Sequence, residues 1–587
     1  MGTEPRQYEF SGYRVDVVSR ELFGPGGAPI SVTSKALDVL TYLIEQRNRV
    51  VGKDDLLATV WAGRVVEENN LTQAVSALRK AFGTRPPEHR FILTVSGRGY
   101  RFVANVSEID ALVEAASPAP PQTALAVLPF RSISSGPRDE LLELGLTETL
   151  ITRLSRVRHL RVRALGSSLH LAQGVAHDPD AAGRQLGAAY VIDGSAQQLG
   201  GRVRVNVRLL SVANGVTVWA DTMDTRVEDV FTLQDRISGA VVKALALPGI
   251  VMPERRRRSR RGEDAEVYRA WLQGHHLLQR PDEENLKKAI SAFRRAIDLD
   301  AACTRAYAGI AFAYRGLVHI DHEPDEMFGL AKAAVAQALK LDPDSPEALT
   351  AQGGIRHLYD WDWAGAETSL KRAIELNPSL MEARYTCAYL LVHLGRFEEG
   401  LEQACQAREL DPLSPMVNAI YAGLLTAAGR TGAAQKQIRR ALELKPNFWI
   451  ALQIRAGLAT DRGDTAAAIA DLASAADDSH RASQILALQA IAHVAAGDRM
   501  LPQEILRELE ARRAKGYVPA TSFAAVHAAL GDLDTALDEL ERAYRERDIR
   551  MAFMKVDARW NVLRPQPRFQ ALAERVNLES DHGCSRL

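Results

Sequence analysis

The stretch Thr94–Ala104, TVSGRGYRFVA, admits two readings, and the choice between them decides how the first hundred residues fold. Gly97-Arg98-Gly99 begins either a phosphate-cradling glycine loop or the tight turn of a β-hairpin. A phosphate loop needs a strand before it, a third glycine and a helix opening at once, so that free N–H groups and the helix dipole face the anion. The residues after Gly99 do not meet that requirement. Tyr100-Arg101-Phe102-Val103 alternates aromatic or β-branched residues with a charge, the period-2 mark of a strand, and Phe91–Val95 supplies a matching strand before the turn. The hairpin reading follows.

Upstream, NNLTQAVSALRKAF spaces Leu71, Val75, Leu78 and Phe82 at i, i+4, i+7 and i+11, which predicts an amphipathic helix with one apolar stripe. At 100° per residue, Asn69, Thr72, Gln73, Ser76, Arg79 and Lys80 share an arc of about 120° that points away from that stripe. Asn and Gln can pair with adenine, Arg and Lys with guanine or phosphate, and Thr and Ser are short enough to leave room for a groove. Taken alone, such a face is ordinary helix surface. Charge adds to it: Asn69–Val103 holds six basic residues (Arg79, Lys80, Arg85, Arg90, Arg98, Arg101) against one acidic residue, Glu88.

Two further helices are expected before this one, SKALDVLTYLIEQ after a Thr33 cap and KDDLLATVW ending near Trp61, preceded by β-like YEFSGYRVDV and APISV. Strands, three helices and a terminal hairpin within about 105 residues are the layout of a winged helix, whose third helix enters the major groove while the hairpin lies along the backbone or minor groove. Through VVGKDDLLATVW, VVEENNLTQAVSALRKAFG and TVSGRGYRFVA, residues 8–105 closely resemble the OmpR/PhoB-type winged-helix family. The resemblance implies sequence-specific binding of double-stranded promoter DNA and contact with RNA polymerase, and it is compatible with a homodimer on DNA. Its candidate contacts are Asn69, Asn70, Thr72, Gln73, Ser76, Arg79 and Lys80 on the helix and Thr94, Arg98 and Arg101 on the hairpin. Many relatives carry Arg directly before the wing glycine. Here Ser96 stands there, and Arg98 at the turn's centre is the substitute. Tyr100 and Phe102 read as core, because aromatic residues of such a hairpin pin it to the helices.

The 587-residue chain is too long for one core. A Pro/Ala/Ser run, EAASPAPPQ, reads as an extended linker, and MPERRRRSRRG as a basic one, either simply solvated or adding non-specific phosphate affinity. Beyond it ALKLDP, AIELNP, ARELDP and ALELKP end at Pro343, Pro378, Pro412 and Pro446, 35, 34 and 34 residues apart. Small residues recur within each repeat, as Gly354, Ala366 and Ala373, then Ala388, Gly400 and Ala407, then Ala422, Ala434 and Ala441, where two antiparallel helices must approach closely. Period and pattern resemble the tetratricopeptide repeat, with roughly eight repeats stacking into a solenoid. Between the linkers, ALAVLPF, a helical DELLELGLTETLITRLSRV, three strands within AYVIDGSAQQLGGRVRVNVRLLSVANGVTVWADTMD and a closing helix form an α/β module. This module resembles one found ahead of tetratricopeptide arrays in bacterial regulators and some adenylate cyclases, and distantly the amino-terminal domain of TolB-type proteins.

The expected fold class is therefore multidomain α+β: a winged helix-turn-helix domain (1–106), a linker (107–122), an α/β module with a mixed sheet (123–247), a basic linker (248–262), an all-α tetratricopeptide solenoid (263–550) and a carboxyl-terminal cap and tail (551–587). Four scattered cysteines imply neither a disulfide framework nor a zinc site, and no cofactor is expected. The absence of a signal sequence and of an apolar run long enough to span a bilayer predicts a cytoplasmic protein without membrane contact, unlike the CadC-like regulators whose reader is also amino-terminal. The function expected is a one-component transcriptional regulator, with a protein or peptide partner on the repeats. The alternatives are a tetratricopeptide adaptor that does not bind DNA, and a cyclase-related signalling protein without its catalytic domain. Against an enzyme stand the lone His275-His276 pair and the lack of a Gly-x-Ser-x-Gly elbow.

Overall fold

The computed structural model describes residues 6–110, 123–245 and 265–578, apart from short stretches within them (12, 17–20, 25–28, 31, 48, 62–67, 83–90, 96, 105, 134–139, 158–159, 173–177, 200–201, 227–229 and 279–281). The basic run 253–261 and residues Arg85, Glu88, Arg90, Ser96 and Cys584 lie outside the described residues. The chain divides into two compact units, Met1–Pro121 and Gln122–Leu587.

In the first unit, strands β1 (Arg6–Phe10), β2 (Tyr13–Asp16), β3 (Glu21–Phe23) and β4 (Pro29–Ile30) lead to helices α1 (Ser34–Glu45) and α2 (Lys53–Val60), with the short strand β5 (Val51–Gly52) between them. Helix α3 (Glu68–Ala81), the hairpin β6 (Ile92–Val95) and β7 (Gly99–Phe102), and β8 (Ser107–Asp110) follow. Thr33 caps α1 as its sequence implies, accepting from the Ala36 N–H at 3.2 Å. The strands form an antiparallel sheet in the order β4-β3-β2-β1-β8 and a second one in the order β5-β7-β6. Residues 107–110, which composition assigns to the linker, thus pair with β1. The alternation of Ser107-Glu108-Ile109-Asp110 suits an edge strand, and the proline run begins only at Pro118.

The second unit opens with the α/β module: β9 (Thr123–Val127), β10 (Arg131–Ser132), α4 (Glu140–Leu154), β11 (Leu160–Val162), α5 (Leu165–Ala172), α6 (Pro179–Gln185), β12 (Tyr190–Leu199), β13 (Arg202–Ser211), β14 (Thr217–Arg226) and α7 (Val230–Ala244). Its sheet runs β11-β9-β12-β13-β14, parallel through β12 and antiparallel beyond, with β10 parallel to β12. The mixed sheet is the one expected.

Eight helical hairpins then follow among the described residues. They are α8 (Ala265–Leu278) with α9 (Glu283–Leu299), α10 (Thr304–His319) with α11 (Pro324–Leu341), α12 (Pro346–Ile355, continued as a π-turn over Arg356–Asp360) with α13 (Trp363–Leu376), and α14 (Met381–His393) with α15 (Phe397–Leu410). Next come α16 (Pro415–Ala427) with α17 (Thr431–Leu444), α18 (Trp449–Asp461) with α19 (Thr465–Asp478), α20 (Ser483–Ala495) with α21 (Met500–Arg513), and α22 (Ala520–Leu530) with α23 (Leu533–Arg545). Two 3₁₀ turns and α24 (Pro567–Arg575) are the last elements among the described residues. The recurring small residues sit where the helices cross: Ala388, Ala407, Ala422, Ala434 and Ala441 are fully buried, and a Cβ on Gly400 would lie 2.7 Å from Val392 Cγ2. A second period escaped the sequence reading. Gly395, Gly429, Gly463, Gly497 and Gly531, each 34 residues from the next, all adopt the left-handed conformation that turns one helix into its partner.

The module and the repeats share one compact unit because the turns between hairpins are docking points. Ala164 N–H donates to the Leu410 carbonyl at 2.8 Å, Val162 N–H to Ser379 Oγ at 3.3 Å, and Leu413 N–H to Ser167 Oγ at 2.9 Å. Ser167 donates to the buried Asp411 carboxylate, and the buried Arg163 guanidinium reaches the carbonyls of Glu409 and Gly187. Burial lowers the Arg163 pKa to about 10 and raises that of Asp411. The same prolines that end the helices therefore present the polar edge on which β11 and α5 rest.

Because the crossing at Ala434 admits only a methyl group, Ala434→Trp is expected to cost about 1–3 kcal/mol by overpacking, confined to neighbouring hairpins. Hydrogen exchange should rise in α16–α18 and stay unchanged in α1–α3.

Candidate nucleic-acid interface

Helix α3 forms because its apolar residues fall on one face. Leu71, Val75, Leu78 and Phe82 are buried, against the side chains of α1 and the aromatic cluster of the first sheet. The opposite face is polar apart from the half-buried Ala77: Asn69, Asn70, Thr72, Gln73, Ser76 and Lys80 are all exposed. They stand where the spacing puts them.

The hairpin is held by two constraints. Phe102 is buried edge-on against Phe10, with ring centroids 4.9 Å apart, and Tyr100 is buried in register with Val51. Both aromatics are therefore core. Gly99 pairs with Gly52 at a φ of 145°, and a Cβ there would lie 2.0 Å from the Val51 carbonyl oxygen, so only glycine lets β7 close on β5. Gly97, with a φ of 69°, completes the turn, and the Arg98 N–H donates to Val95 O at 3.0 Å. The Arg98 side chain is exposed at the tip. Arg101 is exposed on the flank, its Nε 3.4 Å from the Arg47 carbonyl.

Arg79 and Thr94 behave differently from the rest of the expected set. Arg79 borders the buried stripe, one residue after Leu78 and four after Val75, and β6 runs beside it. Its guanidinium donates to the Ile92 carbonyl at 2.8 Å and to Thr94 Oγ1 at 2.7 Å. Two expected contact residues are thus joined to each other, as a bridge between helix and hairpin. A helical wheel carries no sign of this, since it holds no information on which strand lies beside the helix. Arg79 Nη2 is spent inside the domain, whereas Lys80, Arg98 and Arg101 extend from its surface.

Residues 27–102 match the family model described as "Transcriptional regulatory protein, C terminal". This unit carries an OmpR/PhoB-type DNA-binding domain. Residues 121–240 match a second model, "HilA/YgeH-like transcriptional regulator, second domain", which covers the α/β module beside the OmpR/PhoB-type domain. The transcriptional regulator HilA of Salmonella typhi is 23% identical over 385 residues, 65% of this chain and 67% of HilA. A putative adenylate cyclase 3 of Rhizobium meliloti is 30% identical over 192 residues, 33% of this chain and 32% of that protein, so the chain spans about a third of the length of that relative. The DNA-binding domain of E. coli CadC aligns over 100% of its own length and 18% of this chain, at 21% identity and a TM-score of 0.17. Among the described residues, no helix is long and apolar enough to cross a membrane, and no group of three His, Cys, Asp or Glu is placed to hold a metal ion.

The bridge generates a prediction separate from DNA. Arg79→Ala leaves the buried end of β6 without its donor and is expected to destabilise the first unit by about 1–3 kcal/mol. Arg79→Lys should recover part of this, because both bonds leave the single nitrogen Nη2, a role that a three-donor ammonium can take on a somewhat shorter stem. Denaturant unfolding followed by amide exchange at Ile92–Val95 checks both.

Proposed function

We propose that the protein is a one-component transcriptional regulator of the cytoplasm. In this reading α3 enters the major groove of double-stranded promoter DNA, the β6–β7 turn grips the adjacent backbone or minor groove, and the repeats receive a protein or peptide partner. One observation carries the reading: a largely polar, exposed helix face lies beside a hairpin tipped with Arg98, in a domain matched over 27–102 by transcriptional regulators. The contacts proposed are Asn69, Asn70, Thr72, Gln73, Ser76 and Lys80 from the helix and Arg98 and Arg101 from the hairpin, with Arg79 and Thr94 acting chiefly by fixing the hairpin against the helix. RNA polymerase contact and a homodimer on DNA belong to the same proposal, as do the domain divisions at 106, 122, 247, 262 and 550.

The likeness to a putative adenylate cyclase supports a second reading, an enzyme. It gives way to the first because both family models are of transcriptional regulators and the likeness extends over a third of either chain. Full-length protein incubated with ATP and Mg²⁺ or Mn²⁺ is expected to form no cyclic AMP. Turnover that survives repurification would establish the enzyme.

Selecting genomic fragments bound by the full-length protein tests the regulator reading and yields its preferred site. On that site Gln73→Ala is expected to cost about 1–3 kcal/mol, with little loss on random DNA, because Gln73 lies at the middle of the exposed face where base edges are reached. Equal losses on both would remove it from sequence reading. Log K should fall with log salt at about −0.9 per phosphate neutralised, and Arg98→Ala should flatten that slope by about one contact on all sequences alike.

A further inference from the structure

The eight hairpins bring the last residues of the chain back onto the early ones. Trp363 Nε1 donates to the carbonyls of Val576 and Asn577, both at 3.1 Å, and Asn577 Nδ2 lies 3.5 Å from the Trp361 carbonyl. Lys555 Nζ donates to Leu394 O at 3.3 Å, and the Phe553 ring sits 4.1 Å from that of His393. Met551, Met554, Trp560, Leu563 and Val576 are buried in the same apolar cluster as Trp363, Leu390 and Leu391. Hairpins three and four thus hold the segment Ile549–Leu578, two 3₁₀ turns followed by α24, through Trp363 bonds to its backbone carbonyls and through apolar side chains, as grooves hold peptides.

This seam departs from the regularity of the other hairpins. Helix α12 ends in a π-turn, and Trp361 after it is left-handed, with a φ of 55°; Arg547 and Asn577 across the seam have φ of 52° and 57°. Trp361 Nε1 and Trp560 Nε1 are buried in the apolar cluster without a hydrogen-bond partner. His357 and His393 form a buried imidazole pair 2.9 Å apart. Burial holds both below the usual histidine range, His393 at about 3, so the pair is uncharged at neutral pH. At the entry to the segment, the Arg547 guanidinium lies 4.3 Å from the Trp361 ring centroid and 5.9 Å from those of Tyr359 and Tyr544, with Trp361 stacked on Tyr544 at 5.2 Å. A cation enclosed by three aromatic rings is a recognition geometry.

We propose that Ile549–Leu578 is a displaceable intramolecular ligand covering hairpins three and four, with Arg547 in its aromatic cage as the pin. The covered site takes a protein segment of the same chemistry, a basic residue followed by apolar and aromatic side chains. Ordering these thirty residues, of which only the 9 of α24 are α-helical, costs conformational entropy that offsets much of what their burial contributes, so opening is a sub-global event, below the unfolding of the hairpins themselves. The inference goes beyond the regulator reading and does not depend on DNA.

The test uses the full chain. Arg547→Ala, at a half-buried position outside the apolar cluster, is expected to raise amide exchange at least about tenfold in 549–578 and in α12 and α14, with α16–α19 unchanged. It should also bind a labelled synthetic peptide of residues 545–578 at least about tenfold more tightly than the wild type, and Arg547→Lys should restore the closed behaviour in part. Unchanged exchange in 549–578, a rise in step across all hairpins, or peptide binding no tighter than to the wild type would overturn the proposal.

Discussion

The crossing of paired helices at positions that admit a methyl group or less sets the geometry of most of the chain. With Ala388 and Gly400, or Ala422 and Ala434, at the contact, the two helices of a hairpin pack backbone to backbone, and each hairpin stacks on the next at a nearly constant interval. Two consequences follow. The turns at Ser379 and Leu410–Leu413 stand at the spacing that lets β11 and α5 hydrogen-bond to both. Eight hairpins also curve far enough for Trp361 and Trp363 to meet Tyr544 and Val576.

The α/β module is bound to the repeats through charge as well as backbone. The Arg163 guanidinium and the Asp411 carboxylate are both buried at the contact, and each would be costly without its carbonyl or hydroxyl partner. These groups join the module to hairpins three to five.

The OmpR/PhoB-type domain separates the residues that hold its hairpin from those proposed to read DNA. Gly99, Tyr100, Phe102 and the Arg79–Thr94 bridge fix the hairpin against β5, β1 and α3. The polar residues Asn69, Asn70, Gln73, Ser76 and Lys80 and the Arg98 tip are exposed above that support. Rigid support beneath an exposed polar face is what a reader of base edges requires, since a misplaced donor or acceptor loses its hydrogen bond.

Local pattern by itself determined much here. Period-2 alternation around Gly97-Arg98-Gly99 identified the hairpin, 3.6-residue spacing gave α3 and its polar face, and proline and small-residue periods gave the repeats, because these signals lie within a few residues of one another. Tertiary structure alone decided what Arg79 does, since its partners Ile92 and Thr94 are brought beside it by the fold, and it extended the first sheet to β8 by pairing residues about a hundred positions apart. It alone joined Ser167 to Asp411 and Arg547 to Trp361. The first depends on how the module docks on one turn between hairpins and the second on the summed geometry of many hairpins, quantities that no single repeat encodes and that a one-dimensional pattern does not express.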